Sequence, residues 1–577
     1  MSIDRVQVPT RARRLADAVR KDQGSATRQA TQDLANLGAG GEYKGNLARD
    51  LENYCARMDL CGGLEPYLVD TEVRDFKEHL TAESHAIFLP HEQAHALWEA
   101  DKSEFEHRFG CSQLTQYWRQ AQTYPWFRRH PWKRAILQCP ERCIPVRFHG
   151  DDAPCTKKTQ IYVVNMSPIC CRLQSWLSRF LLVCFPMVLA AGSQTYDPFW
   201  SAFVWSLLLM APDREDCLFP KTGHLGTLLS GKRLLRAGHQ ICGGYRLVLT
   251  QFCGDWKFLK EFFHLVATYS KNEFCFRCSA TKSAGLLCAW NCAMSAPCFE
   301  IERSAIAFLR FLMDIGHPFA SLTGFDLWMI MFDLMHIVLL GILQYLLGGV
   351  LWELCLESRW YRPPRGSWQS KTNHQLRLAF RDFKDWLQAK QLSSSHPCFN
   401  VLGLSMHTLN DCPCLKIKAA NCLLVCQWLS EVCCRDAAAL PSGHHGQVRA
   451  TALWGFSQTF AILQGEQHWV SDDAVSRLHT TRLAACQGYN ALSAFAEAAK
   501  INRYPMKPKN HLFDHCCRDT FVFRENPTFC WVFADEDMIG KVKAIASRCH
   551  PFKMGLRTLK RWAMRYYAQL RNAKACV

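Results

Sequence analysis

The sequence predicts an α/β fold in which a strand-rich segment is followed by a long helical one. Residues 143–150 and 245–253 are rich in Val, Ile, Leu and Phe and are bounded by Gly, Pro and Asp, as β-strands are. Between Asp255 and Glu536 the apolar residues recur mainly with helical spacing. We therefore predict a sheet-containing core, interrupted by a large, mainly helical insertion and flanked by helical N- and C-terminal regions.

Three acidic residues lie at the edges of these predicted elements. Asp151 follows the first strand and Asp255 the second, where loops on a rigid sheet often bear functional groups. Glu536 falls in the first turn of a predicted helix, whose apolar positions follow helical spacing: Met538, Ile539, Val542 and Ile545. Two strand-borne aspartates and one helix-borne glutamate are the arrangement of the RNase H-like nucleotidyl-transferase core.

Such a carboxylate cluster suits hard divalent cations, Mg²⁺ or Mn²⁺. A pair of ions about 3.5 to 4 Å apart activates water, and later a 3′-hydroxyl, for in-line displacement at phosphorus. Asp152 is an alternative to Asp151, because successive side chains on a strand point to opposite faces and only one of the two meets the metal.

Two further pairs of polar residues are candidates for the same site. Asp333 and His336 share one face of a predicted helix, where they either ligate metal or form a polar pair that anchors a buried helix. If Asp333 replaces Asp255, the triad becomes Asp151, Asp333 and Glu536. His511 and His515, four residues apart, are either structural or reach one ion or phosphate from one helical face.

Four cysteines have the spacing of a zinc site. Cys275, Cys278, Cys288 and Cys292 form a C-x2-C-x9-C-x3-C pattern, which lets two short loops close around Zn²⁺. Cys298 lies close enough to replace one of them. We predict a structural zinc ion inside the insertion.

The chain is basic, and its C-terminus is the most basic part. Lys and Arg number 68 against 51 Asp and Glu, a net charge of +17 that favours polyanionic partners. A run without acidic residues contains Arg557, Lys560, Arg561 and Arg565. Residues 557, 561 and 565 share one helical face, which is either a DNA-backbone contact or a solvated end helix. The interleaved Trp562, Tyr566 and Tyr567 either pack inward or stack on bases.

The N-terminal segment, the cysteines and one long apolar segment bear on the cellular compartment of the protein and on membrane association. The N-terminal RVQVPTRARRLADAVRK is basic but has no apolar segment of the kind found in signal peptides. The 31 cysteines are therefore expected to be thiols or metal ligands in a reducing compartment. Residues 327–356 are apolar enough to suggest a membrane span, but Asp333, His336, Gln344 and Glu353 interrupt them.

Several motifs, in order over roughly residues 140 to 550, resemble those of CACTA (En/Spm) transposases and the related Plavaka and Kyakuja-Dileera-Zisupton groups. FADEDMIGKVK is similar to the segment around that family's catalytic glutamate and shares Phe533, Glu536, Gly540, Lys541 and Lys543 with it. KPKNHLFDH, FDLMHIVLLGIL, FCGDWKFLKEF and CFRCSATKSAGLLCAWNC resemble further family motifs. The family's proline after the second Asp is Trp256 here, and the arginine after the glutamate is Asp537.

The resemblance implies a nuclear DDE-type transposase that cleaves and joins double-stranded DNA at transposon ends and targets. It also implies an RNase H-like core, Asp151, Asp255 and Glu536 as the triad, Mg²⁺ or Mn²⁺ as cofactor, and a homo-oligomer on DNA with no membrane. The alternatives are a decayed or domesticated transposase that only binds DNA, and a membrane protein built around residues 327–356.

Five regions are predicted. Residues 1–135 form a helical N-terminal region that is a candidate for DNA binding. Residues 136–265 form the first part of the core, 266–500 the insertion with the zinc site, 501–550 the final core segment with the catalytic glutamate, and 551–577 a basic C-terminal helix.

Overall fold

A four-stranded mixed sheet and a separate two-stranded hairpin are surrounded by helices. The computed structural model describes residues 7–23, 29–43, 47–57, 63–75, 78–157, 159–293, 295–441 and 443–575. The strands in these ranges are β1 Tyr67–Arg74, β2 Leu80–Ile87, β3 Cys143–Pro154, β4 Gln160–Pro168, β5 Phe180–Pro186 and β6 Arg246–Cys253. The mixture of helices with small sheets agrees with the predicted α/β class.

The order of strands across the larger sheet is β5-β4-β3-β6. β3 and β4 are antiparallel, as are β4 and β5, whereas β6 is parallel to β3. A parallel neighbour requires a crossover connection, and the chain between β5 and β6 provides it.

Helices make up most of the remaining chain. Before β6 they are α1 Gln7–Gln23, α2 Gln29–Ala35, α3 Leu47–Arg57, α4 Pro90–Ala100, α5 Lys102–Phe109, α6 Leu114–Ala121, α7 Pro125–Arg129, α8 Lys133–Gln138, α9 Ser175–Ser178, α10 Ser193–Leu208 and α11 Gly231–Arg236. After β6 they are α12 Trp256–Phe262, α13 Pro297–Glu300, α14 Ala305–Asp314, α15 Leu343–Leu356, α16 Trp368–Ala389, α17 Ala419–Ala437, α18 His445–Gly465, α19 Asp472–Ala498, α20 Pro508–Phe523, α21 Phe533–Ala546 and α22 Pro551–Ala575.

One face of the sheet packs against the crossover helix α10. Trp200 of α10 is fully buried and its ring lies 5.7 Å from that of Phe148 on β3 and 5.4 Å from that of Phe252 on β6. Burying side chains of this size is a main source of stabilisation for the core. The ends of β3 and β6 are thereby held side by side.

Three strand predictions need correction. β3 continues through Asp151, which pairs with Val163 of β4, so Asp151 lies inside a strand and not just past its end. β5 was missed because its residues are all buried and therefore show no alternation of polar and apolar side chains. The N-terminal region, predicted to be helical, contains the β1–β2 hairpin, and the strictly alternating burial of β1 is the signal that identifies it.

The apolar segment considered as a membrane span is a buried helix. Met335–Leu356, a π-helical stretch that runs into α15, is long and apolar enough to cross a membrane, yet 83% of its most apolar window is buried inside the protein. Its Glu353 is buried and binds Arg449 and Arg503. Core helices satisfy the same length and composition criteria, so this helix is weak evidence for a membrane span.

Candidate functional site

A glycine precedes each aspartate of the predicted triad, and both glycines leave room for the ring of Phe258. A Cβ on Gly150 would lie 2.1 Å from the ring of Phe258, and one on Gly254 would lie 2.8 Å from it. Phe258 belongs to the first turn of α12, and its backbone N–H donates to the Asp255 carboxylate at 2.6 Å. Asp255 is therefore the N-cap of α12 and stands next to the strand that contains Asp151.

Glu536 lies in the first turn of α21, as predicted, and its neighbour Asp535 anchors that helix to the sheet. The Asp535 carboxylate is fully buried and accepts from Arg147 of β3 at 2.9 Å and from Arg179, just before β5, at 3.2 Å. Although burial opposes ionisation, the charges of Arg179 and Arg147 hold the pKa of Asp535 well below its ordinary value. This ion-pair cluster fixes the turn from which Glu536 projects.

Asp151 interacts with both of the other carboxylates of the predicted triad. Burial first, and then the negative charges of Glu536 and Asp255, raise the pKa of Asp151 from 3.8 to about 8. Asp151 also forms a side-chain hydrogen bond with Glu536, whose pKa is itself raised by burial. The oxygens of all three do not lie within 4.8 Å of one another, but ligands that bridge two ions about 4 Å apart need not be so close.

Asp333 and His336 lie beside these carboxylates as a hydrogen-bonded pair. Asp333 precedes the helix instead of lying within it, and its carboxylate binds His336 Nδ1 at 2.6 Å. The same carboxylate accepts from the backbone N–H groups of Met335, His336 and Val532 at 3.0, 3.2 and 3.3 Å. Since both oxygens are already occupied, Asp333 is a poorer metal ligand than Asp255.

His336 lies near enough to the triad for the charges of Glu536 and Asp255 to act on it. Burial opposes its protonation, but the hydrogen bond to Asp333 and the charges of Glu536 and Asp255 raise the pKa of His336. The protonation of the His336 imidazole therefore depends on the charges of two triad carboxylates, those of Asp255 and Glu536.

Asp152 has a different partner from Asp151. Its carboxylate pairs with Lys257 of α12 at 2.9 Å, whereas Asp151 hydrogen-bonds Glu536. The two adjacent aspartates thus have different neighbours, as strand alternation requires, and Asp151 is the one beside the triad.

A cleft of about 660 Å³ opens beside Asp255. Asp333 and His336 also line it, together with five lysines: Lys257, Lys282, Lys416, Lys507 and Lys509. Lys509 donates to the backbone carbonyl of His336 at 2.7 Å, and burial lowers the pKa of its ammonium group. This concentration of cationic groups suits a phosphate-containing ligand, and the sequence analysis did not single out these lysines.

Two of the predicted zinc cysteines form a buried group with the histidine pair. Cys275, Cys278, His511 and His515 each present one ligand atom, and these four atoms all lie within 4.8 Å of one another. All four side chains are buried. Although burial opposes it, hydrogen bonds from Cys278 and the nearby His515 lower the pKa of the Cys275 thiol well below its ordinary value.

The other two predicted cysteines lie outside this group, and the structure brings His511 and His515 to Cys275 and Cys278 instead. The Cys292 sulfur hydrogen-bonds the carbonyl of Trp290 and the side-chain amide of Asn490, and lies beside Cys486. Cys288 is half-buried and forms an isolated β-bridge with Thr281. Cys298 is buried near Cys275 but does not belong to the group either.

The C-terminal helix α22 packs its aromatic face inward. Trp562, Tyr566 and Tyr567 are buried, and the rings of Trp562 and Tyr566 contact Phe88 and Phe180. They are therefore not available for stacking on bases. Lys560 and Arg565 are exposed, Arg557 and Arg561 are half-buried, and Arg565 lies near both Arg561 and Arg548.

No known protein-family model matches this chain, and no curated protein matches it in sequence.

The raised pKa of Asp151 predicts that this carboxylate destabilises the metal-free protein. Because its folded-state pKa lies above the ordinary value, the folded protein holds the proton more tightly, and stability falls as pH rises from about 4 towards 8. We expect Asp151→Asn to be more stable than the parent at pH 9 by about 1 to 3 kcal/mol, and to gain much less at pH 5. Urea unfolding of both proteins in EDTA, at pH 5 and at pH 9, measures this difference in the free energy of unfolding. An equal difference at the two pH values would contradict the prediction.

Proposed function

We propose that this chain is a DDE-type nucleotidyl transferase that cleaves and joins DNA, with Asp151, Asp255 and Glu536 as the triad. The observation that supports it best is that the Asp151 carboxylate lies close enough to Asp255 and Glu536, which are 104 and 385 residues further along the chain, for their charges to act on it. Burial, together with the charges of Glu536 and Asp255, raises the pKa of Asp151 to about 8, and such a shift is typical of a functional site.

The topology around the triad supports an RNase H-like core. A three-stranded antiparallel meander, β3 to β5, is followed by a crossover and by β6 parallel to β3. The helix α21 packs on this sheet and contributes the third carboxylate. An RNase H-like core is expected to have this strand order, with two acidic residues on or next to its strands and the third on a helix.

The donor set fits Mg²⁺ or Mn²⁺, because it consists of carboxylate oxygens whose mutual repulsion a cation relieves. Asp151, Asp255 and Glu536 would hold the ions, which supply activation of the attacking hydroxyl and stabilisation of the leaving oxygen. Lys509 and the other cleft lysines would orient the phosphate backbone. His336, held by Asp333, stands beside Asp255 and Glu536, where it is available to hydrogen-bond a phosphate oxygen.

Cleavage of supercoiled plasmid by the purified chain tests this proposal. We expect nicked and linear products with Mg²⁺ or Mn²⁺ and none with EDTA. A nicked product whose 3′-hydroxyl joins a second duplex would extend the activity to strand transfer. Intact plasmid under all metal conditions, with DNA binding retained, would instead favour the decayed, DNA-binding alternative, which the departure at Asp537 already suggests.

The basic face of α22 is proposed to contact the DNA backbone. We expect replacement of Arg557, Arg561 and Arg565 by alanine to weaken binding to unrelated duplexes about equally, because phosphate contacts are not sequence-specific. Each lost phosphate contact should reduce the salt slope of log K by about 0.9. Fluorescence anisotropy over a series of salt concentrations measures both.

A matched control for this variant lies on α16. Arg377, Arg381 and Lys384 are exposed and similarly spaced along one helix, so their replacement by alanine removes the same charge. We expect this control to bind DNA nearly as tightly as the parent. Equal loss in both variants would indicate a general effect of net charge and would contradict a specific contact by α22.

A further inference from the structure

The group formed by Cys275, Cys278, His511 and His515 is drawn from two parts of the chain. The cysteines lie in the segment that follows α12, whereas the histidines lie one turn apart on α20, 233 residues beyond Cys278. We infer that these four side chains bind one structural zinc ion, which ties the beginning of the insertion to α20. This inference does not depend on the proposed cleavage of DNA.

The distances within the group suit tetrahedral zinc. The sulfur of Cys278 lies 3.2 Å from His511 Nε2 and 3.3 Å from His515 Nε2, and that of Cys275 lies 3.4 Å from His515 Nε2. Zn–S bonds of about 2.3 Å and Zn–N bonds of about 2.0 to 2.1 Å at a tetrahedral angle place sulfur and nitrogen about 3.6 Å apart. Small outward adjustments of the side chains therefore accommodate the ion.

The backbone around the cysteines is arranged as it is for thiolate ligands. The N–H of Arg277 points at the Cys275 sulfur at 3.4 Å, and the backbone of Ala280 hydrogen-bonds the Cys278 sulfur in the same way. The sulfur atoms of Cys275 and Cys278 thus both accept hydrogen bonds from the backbone. Hydrogen bonds of this kind, made to the ligands of a metal, hold those ligands in the orientation that the metal needs.

The surroundings of the group exclude water and leave no open ligand position. The Phe299 ring lies 4.7 Å from each imidazole, and Phe332 stacks on His515 at 5.1 Å. Four protein ligands in a closed, buried group are typical of structural zinc, whereas catalytic zinc keeps one position open.

Zinc at this place would stabilise one wall of the lysine-lined cleft. Lys509 precedes His511 by two residues in the first turn of α20 and binds the carbonyl of His336. Arg277, between the two cysteines, pairs with Asp519 of the same helix. Loss of the ion would release α20 from the insertion and loosen the Lys509 contact.

Metal analysis and X-ray absorption of the full chain, purified without chelator, test the inference. We expect about one zinc per chain, with two sulfur neighbours at about 2.3 Å and two nitrogens at about 2.0 to 2.1 Å. Absence of zinc, iron in its place, or four sulfur neighbours would overturn it. This measurement on the parent protein decides the question even if ligand variants fail to fold.

Variants locate the site. Cys278→Ser and His515→Ala should each lower the zinc content more than about tenfold, because each removes one of four ligands. The paired control Cys288→Ser with Cys292→Ser should retain zinc, and so should Glu536→Gln. Loss of zinc in the cysteine control, with retention in Cys278→Ser, would overturn the assignment. Hydrogen exchange across α20 should accelerate when zinc is chelated.

Discussion

Replacing Glu536 with glutamine is expected to abolish Mg²⁺-dependent cleavage of DNA while leaving DNA binding intact. The substitution keeps the shape of the side chain but removes the charge needed to hold a divalent cation. Metal ions contribute several kcal/mol of transition-state stabilisation, so we expect the rate to fall by at least about a thousandfold. Plasmid nicking under single-turnover conditions measures the rate, and anisotropy measures binding.

A matched control lies one residue away. The Asp537 carboxylate binds Lys541 and Ser175 and is more than half exposed. We expect Asp537→Asn to cleave DNA at close to the parent rate. Unchanged cleavage by Glu536→Gln, or equal loss in both variants, would contradict a specific role for Glu536.

Replacing Asp535 with alanine is expected to lower the free energy of unfolding by about 3 to 5 kcal/mol. It leaves the buried guanidinium groups of Arg147 and Arg179 without their partner, and an unpaired buried charge is strongly destabilising. Urea denaturation at pH 7 measures the change. Asp537→Ala, which removes an exposed pair on the same helix, should cost no more than about 1 kcal/mol.

The direction of the pH dependence provides a second readout for Asp535. Because Arg179 and Arg147 depress its folded-state pKa, its stabilising contribution is present above the ordinary pKa and is lost as pH falls through the folded value. The difference between parent and Asp535→Ala should therefore shrink in strongly acidic solution. A small difference at pH 7, similar to that for Asp537→Ala, would contradict the anchoring role of the cluster.

Local sequence patterns predicted those parts of the site that depend on neighbouring residues. Asp255 follows a strand and Glu536 opens a helix, as the apolar spacing indicated. The same patterns predict that the first strand ends before Asp151, whereas β3 continues through it, because the extent of β3 depends on pairing with β4 and not on its own residues. The adjacent Asp152 was resolved only by its pairing with Lys257 across the sheet edge.

The cysteine and histidine group shows the same limit more clearly. The sequence analysis recognised the C-x2-C pair and the histidine pair separately, but it completed the zinc site with the nearest cysteines. The fold instead brings α20 against the segment that contains Cys275 and Cys278. Short motif spacing predicts only ligands that are close in sequence. Tertiary packing decides which distant cysteines and histidines come together, and no short stretch of the sequence contains that information.

The most direct test of the central proposal is the location of bound Mn²⁺ in crystals of the chain, by anomalous scattering. The proposal predicts a peak within about 2.5 Å of carboxylate oxygens of Asp151, Asp255 and Glu536, with a second about 4 Å away when DNA is bound. Such a peak should be absent in Asp151→Asn. Mn²⁺ bound elsewhere, or no peak between these carboxylates at millimolar Mn²⁺ and pH 8.5, would contradict it.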